Sequence, residues 1–572
     1  MAVSLVGATE TASTSTTTRS AGAQSAAAPF ALAWAQVPRT PAARRAKSVL
    51  VFGIVQDLNG FNTLLACCNA LQGVLMGGAE TGRGAFVQNE KGVWVKDIVT
   101  HASATTKGVS YTIRPNAYWY WGGRKLPVTY KDFAYTLQKI DDPSSLVAVR
   151  GGYGNLDPTH YTHHGLKQVT FFWKTKNCTS DYPCGPFANW QSIFSSLYPA
   201  AALTGQDFNT IWTDCICGTD GKPVSNGPFY LLNYTKGQGS TLKANPFFYG
   251  KKPGLAEVDF KIVTDTNSEV QAMRGGELDA IAPPFGANLL PLKGARGITF
   301  TQTPSYSVEL LEFRETKGTS NVLLRAPWMR QAIALGIDRQ GIIKAVLGDL
   351  AGDTKPMNNM IYFTTQAPYE PDFARWSYNP TRALAILRQH CTGGPSSPTA
   401  SNSDTWQCSG LPARFRWTWG LGVVTRATTE AIAKAELKSI GIDLVENPLP
   451  ANILFGPTGI PSGNFDIAQL SYITSGDPGD WSDLWRCHGP SNDTGYCSNK
   501  VSRLMQAGNG ELDPVKRAAY FQAADKLMAA AVPVFPLYQR PNALIYRSSI
   551  AGMVANPNQI PVWNIEDWKW TS

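Results

Sequence analysis

The stretch SYITSGDPGDWSDLW, from Ser471 to Trp485, sets three carboxylates, Asp477, Asp480 and Asp483, among turn residues and two tryptophans. Side chains of these types can do chemistry. Two carboxylates flanking a sugar, with Trp481 or Trp485 as a stacking platform, are the parts of a glycosidase, whose carboxylate spacing a sequence cannot measure. The same acids could hold a cation or clamp the positive end of a ligand. Gly476, Asp477, Pro478 and Gly479 are equally a turn, after which Asp480 or Ser482 caps a short helix. A second group is HYTHHG, with His160, His163 and His164. Imidazoles suit nickel and zinc. No acidic or cysteine ligand stands at helical spacing beside them, so a surface loop or a ligand-facing loop is the expectation, with no metal and no cofactor.

Ten cysteines are the third chemical feature. Zinc would call for C-x2-C pairs or Cys/His clusters, and these are missing. Disulfides closing surface loops are the simpler reading and place the chain in an oxidising compartment. Cys178 with Cys184, Cys391 with Cys408, and Cys487 with Cys497 are natural loop partners, and Cys67/Cys68 could reach Cys215/Cys217. With 572 residues the chain needs two or three domains. Its 43% apolar and 16% charged content is that of a globular protein. The net charge of +9 is spread thinly, without a dense basic run, so nucleic acid is not singled out as a partner. No stretch of membrane-spanning length is apolar enough to cross a bilayer. Residues 1–45 are Ala/Ser/Thr-rich and are expected to form a disordered leader or a poor secretory signal around AAAPFALAWAQV.

The acidic stretch must be positioned by the elements before it. ARFRWTWGLG alternates, with Phe415, Trp417 and Trp419 on one face; TRATTEAIAKAELKSIG is a helix with a Glu430–Lys434 pair and a Gly441 stop; IDLVEN is the next strand. That is a βαβ crossover with parallel strands. FDIAQLSY is expected to join the same sheet, so the acids follow a strand's carboxyl end, where open α/β sheets bind ligands. Elsewhere, Thr129 with Asp132 caps a helix through Ile140, and WYWGG is a hairpin edge from which Tyr118 or Trp121 could reach a cleft. Residues 267–281 read as a helix closed by Gly275-Gly276, and Asp338 caps the second of two helices in 327–347. Asp513-Pro514 opens a further helix, and 532–547 reads as a strand interrupted by prolines.

Six segments, in order, resemble one known family. They are LVFGIVQDLNGFNTL, YTIRPNAYWYWGGRKLPVTYKDFAYTLQKIDDP, NGPFYLLNYTKGQGSTLKANPFFYG, TNSEVQAMRGGELDAI, PWMRQAIALGIDRQGIIKAVLG and ELDPVKRAAYFQAADKLMAAAVPVFPLY. Together they are similar to the extracytoplasmic solute-binding proteins of ABC importers, family 5, the peptide- and oligopeptide-binding group. The resemblance covers roughly residues 48–550. It implies an α/β, two-lobed, hinged protein of the type II periplasmic-binding-protein fold with an extra inserted domain. Lobe I is expected to take 46–90, 215–305 and 530–572, the inserted domain 91–214, and lobe II 306–529. The family is not catalytic. A monomer is expected, outside the cytoplasm, peripheral to the membrane, delivering its ligand to ABC permease subunits.

In peptide-binding members an aspartate follows the strand matching 465–472, three positions before an acidic-Pro pair. Here the pair is Asp477-Pro478, and the matching position is Thr474. A hydroxyl cannot replace a carboxylate facing a buried ammonium. Either Asp477 or Asp480 takes the role, or the ligand has no free amine there. Arg314, in LLEFRET, stands where the family often has asparagine near the ligand, and could meet a carboxylate or phosphate. The expected ligand-facing set is Tyr472, Thr474, Asp477, Asp480, Trp481, Trp417, Trp419 and Arg314, around a peptide or similar small solute. An oligosaccharide in the same fold and a secreted hydrolase using Asp477/Asp480 are the alternatives.

Overall fold

Ten strands carry the main sheet of the computed structural model. In chain order they are β1 (Val49–Ile54), β2 (Phe229–Thr235), β3 (Gly239–Ala244), β4 (Glu257–Ile262), β5 (Ala280–Ile281), β6 (Ile298–Phe313), β7 (Arg414–Gly420), β8 (Asp443–Leu449), β9 (Ile467–Ile473) and β10 (Val534–Arg547). They hydrogen-bond in the order β2-β3-β4-β1-β5-β10-β6-β9-β7-β8, and Val3–Ser4 pairs with β9 as an eleventh strand. The structure describes residues 3–4 and 48–571 apart from 66, 69–72, 79–80, 148–149, 180–182, 317–320, 399–403, 457, 490 and 559. The leader expected over 1–45 lies outside the described residues save for 3–4.

The crossover read from the sequence is present. β7 runs parallel to β8 from Arg414↔Asp443 to Gly420↔Leu449, joined by the helix Val424–Ser439, and β9 lies parallel to β7 on its other side at Trp417↔Ile467. Four longer helices are α1 (Tyr130–Asp141), α2 (Val424–Ser439), α3 (Asn499–Gly510) and α4 (Pro514–Ala531). α1 starts with the capping box between Thr129 and Asp132, and Asp513 caps α4 through Val515 N and Lys516 N. Lys434 on α2 forms its ion pair with Glu446 of the neighbouring strand rather than with Glu430, because the strand carboxylate lies within direct reach.

β10 is one unbroken strand, not the interrupted one expected. Its prolines sit where the pairing with β6 shifts: Pro541 lies opposite Pro304 beside the break to Val308, and Pro536 opposite Leu310 beside the break after Glu309. A proline donates no ladder hydrogen bond, so it is tolerated where the register slips. Side chains hold the irregular region. Ser305 Oγ donates to Arg540 O (2.7 Å), and Gln539 Nε2 donates to Ser305 O (2.8 Å).

Buried apolar side chains gather in three clusters. One surrounds β6–β10 with α2–α4 and the 327–347 helices. A second lies within 65–224 around Tyr111, Phe133, Phe171 and Phe194. The third joins Phe52, Phe260, Leu544 and Trp568. Cys178–Cys184, Cys391–Cys408 and Cys487–Cys497 are bonded as expected. The remaining four cysteines pair locally, Cys67–Cys68 and Cys215–Cys217, not with each other. Trp212 occupies the space between those segments, accepting from Phe61 N (2.7 Å) and donating to Cys217 O (3.0 Å). Among the described residues no helix is long and apolar enough to cross a membrane.

Candidate functional site

β9 is buried along its whole length, paired with β6 throughout and with β7 at Ile467 and Ala468. Where it ends, the chain turns sharply under local hydrogen bonds. Thr474 N donates to Tyr306 O (2.9 Å), and Gly476 N donates to Thr474 Oγ1 (3.0 Å). Ser475 gives both its backbone N–H and its hydroxyl to one oxygen of Asp480, each at 2.7 Å. Asp480 is thereby fixed at the strand's carboxyl end.

A cavity of about 380 Å³ opens off that end, within the range of small-molecule sites. Ile473, Thr474, Ser475 and Asp480 form one wall. The other is built from 82–88, 150–153, 187–196 and 556–563, with Phe86, Trp94, Tyr153, Phe187 and Trp563 supplying aromatic surface. Arg83 stands in that wall between two carboxylates, 3.4 Å from Asp97 and 2.8 Å from Glu566. Arg150 is held by neutral carbonyls, those of Asp142 (2.9 Å) and Ser145 (3.1 Å). Beyond Ala468, the edge of β9 that faces away from β6 pairs, among the described residues, only with Val3–Ser4.

Of the eight residues singled out from the sequence, Thr474 and Asp480 line this cavity and the other six do not. Asp477 leaves the wall because its carboxylate meets Arg517 of α4 through two bonds, at 2.8 and 2.7 Å, and also accepts from Gly479 N. Trp481 is fully buried and donates to Ile361 O (2.9 Å), with Tyr472 and Trp485 against its ring. Tyr472 donates to Glu312 (2.9 Å), whose carboxyl is pushed up to about 8, first by burial and then by Asp493. Trp417 and Trp419 belong to the core, since both faces of β7 are covered. Arg314 donates to Asp493 O under Gly463. Asp483 is half exposed beside Arg486. His163 stacks on Tyr130 and His160 on Phe172, centroids 3.9 and 4.5 Å apart. Trp121 donates to Asp220 (2.7 Å) at its hairpin.

Sequence reasoning missed the opposite wall. Gln88, Asn556 and Asn558 lie about eighty residues or nearly four hundred away from the acidic stretch, in segments that read as ordinary turn-flanked polar residues. Only the fold brings them to Ser475.

The sequence profile described as "Bacterial extracellular solute-binding proteins, family 5 Middle" matches residues 95–494. The chain belongs to this family. Among curated relatives, the family 5 chain is 26% identical over 464 residues to the oligopeptide-binding protein OppA of Mycobacterium tuberculosis, covering 78% of this chain and 71% of that one. Its structure is similar to that of a periplasmic EDTA-binding protein, EppA, with a TM-score of 0.78 at 21% identity, covering 92% of this chain and 96% of the other. It is also similar to the oligopeptide-binding protein AppA of Bacillus subtilis, solved with a nonapeptide, with a TM-score of 0.71 at 17% identity, covering 92% and 99%. At such identities the structural likeness is one of fold. That fold is the two-lobed α/β architecture of type II periplasmic solute-binding proteins, as the resemblance implied.

Proposed function

We propose that this family 5 protein captures a peptide or similar small solute in the cavity off β9 and hands it to the permease of an ABC importer outside the cytoplasm, without turning it over. The observation that carries the reading is the cavity itself. Its two walls come from segments packed into different hydrophobic cores, so closing them on each other would enclose a ligand and opening them would release it. The lobes we assign are 46–90 with 215–305 and 530–572, and 306–529, with 91–214 inserted. The hinge is the irregular pairing of β6 and β10 at Ser305–Ser307 and Gln539–Pro541, where few ladder hydrogen bonds resist bending.

An extended main chain suits the edge of β9 beyond Ala468, which among the described residues pairs only with the two-residue strand Val3–Ser4. Asp480 is the acid we assign to the ligand's cationic end, with the Thr474 hydroxyl beside it. The aromatic residues of the opposite wall receive apolar side chains. Thermal shift and calorimetry with di- to pentapeptides, the same peptides N-acetylated, and oligosaccharides test the reading. Peptides are expected to raise the melting temperature, and N-acetylation to weaken them. Stabilisation by oligosaccharides alone, or hydrolysis of a bound peptide, overturns it.

A further inference from the structure

Gln88 reaches across the cleft. It ends a short strand, Phe86–Gln88, whose antiparallel partner is Trp94–Lys96, and the connecting turn lies against Tyr306. Its side chain is oriented from two sides. Oε1 accepts from Asn558 Nδ2, which leaves Nε2 to donate to Gly92 O (3.3 Å) and to Ser475 O (3.0 Å). Asn556, itself buried, holds the Gln88 and Asn89 carbonyls at 2.9 and 3.0 Å. Ser475 is the residue whose N–H and hydroxyl are bound by Asp480. One amide therefore ties the far wall to the residue that fixes the acid of the near wall.

The same turn docks on β6. The ring of Tyr306 lies between Gly92 and Gly476, each with positive φ, at +69° and +83°. A Cβ on Gly92 would stand 2.1 Å from the Tyr306 hydroxyl, and one on Gly476 2.3 Å from the ring. Only glycine allows this approach in this backbone conformation. Tyr306 sits in the register break between β6 and β10, so the turn touches the strand pair where bending is easiest.

We propose that Gln88 is a cross-cleft latch, a positioning residue that holds the two walls together and fixes Ser475 and Asp480 for the ligand. The inference rests on the reading of this cavity as the ligand cleft. Opening must break the Gln88–Ser475 bond and lift Gly92 from Tyr306. A single amide hydrogen bond is worth about 1 kcal/mol net. Its loss shifts the balance of closed to open several-fold, which is enough to see and too little to unfold the protein.

The test uses the full chain with no ligand added, so its outcome is independent of whether peptides bind. Gln88→Leu removes the donor, Asn558→Ala frees the amide, and Gln88→Glu puts a carboxylate against the Ser475 carbonyl. Small-angle scattering is expected to give a larger radius of gyration for all three, with Gln88→Glu largest. Amide exchange at 473–476 and 556–558 is expected to quicken about fivefold, with little change in melting temperature. Acidification below about pH 4.3, the ordinary glutamic acid value, is expected to close Gln88→Glu again and not Gln88→Leu, because the protonated carboxyl regains a donor. Wild-type scattering and exchange in both Gln88 variants overturn the latch, as does opening of Gln88→Glu that ignores pH.

Discussion

Asp477 and Asp480 are three residues apart and differ in what their loss should do. Asp477→Asn keeps an oxygen for Gly479 N but removes the charge facing Arg517, whose side chain is only 16% exposed against 10% for the aspartate. Breaking a buried pair by removing one partner costs about 3–5 kcal/mol, because the remaining charge is left uncompensated. Arg517 retains a bond to Gly508 O at 3.1 Å and the ring of Phe521 at 5.5 Å, which places the cost at the lower end. For a cooperative unit of lobe size, a loss of about 3 kcal/mol lowers the melting temperature by roughly 6–12 °C. The affinity of a peptide with a free amine should change little. Asp480→Asn reverses the pattern. Its amide oxygen can still accept from Ser475, so stability should fall by only about 1 kcal/mol, roughly 2–4 °C in melting temperature. A ligand ammonium loses a charged partner worth about 1.5–3 kcal/mol, a weakening of roughly 10- to 150-fold. Thermal melts without ligand and titration calorimetry on both variants decide it. If Asp477→Asn melts like the wild type and abolishes peptide binding, the division between structural and ligand-facing acid is wrong.

Three further outcomes follow from particular contacts. Glu312 is held protonated up to about pH 8 by burial, with Asp493 adding to the shift while Tyr472 and Arg314 oppose it. Its ordinary value is about 4.3, so the stability it contributes is full below that and is lost as pH rises toward 8; melting temperature should fall between pH 5 and 9, and more steeply than in Glu312→Gln. Cys391–Cys408 spans 17 residues, so the Cys391→Ser, Cys408→Ser double variant should lose about 3 kcal/mol in denaturant unfolding, and equal stability would mean the loop is already constrained. Thr474→Asp places an acid at the cavity wall and should favour free-amine peptides over their N-acetylated forms by about tenfold in calorimetry; an equal change for both would mean that position 474 does not meet the amine.

What could be read in the sequence was whatever depends on neighbours along the chain. The switch from alternation in ARFRWTWGLG to helical spacing in the next segment marks β7, α2 and β8, though the sheet's helices cover the second face of β7 as well. Caps such as Thr129 with Asp132, and Asp513 before Pro514, are decided within three residues. Disulfides closing short loops follow the same logic. The site was half legible for the same reason. The end of β9 marked the stretch that lines the cavity, while Thr474 was singled out through the resemblance. Which of the acids faces the cavity could not be found, because Asp477 is claimed by an arginine forty residues on, brought there by the packing of α4 on α3, which itself contacts the turn. Lys434 prefers Glu446 to Glu430 by the same rule: a tertiary neighbour outcompetes a helical one when the sheet puts it closer.

The prolines of β10 show how a local rule can be right about chemistry and wrong about shape. Pro536 and Pro541 do forgo ladder hydrogen bonds, as expected, but the strand continues past them because β6 slips register at both places and Gln539 and Ser305 supply side-chain bonds. The result is a long pair of strands that is continuous yet weakly laddered at one point. That point lies beside Tyr306, on which the turn carrying Gly92 rests. On the proposed hinge, a strand pair that bends at one place without breaking its sheet has reason to keep prolines there. Glycines are needed where the opposite wall comes down on it.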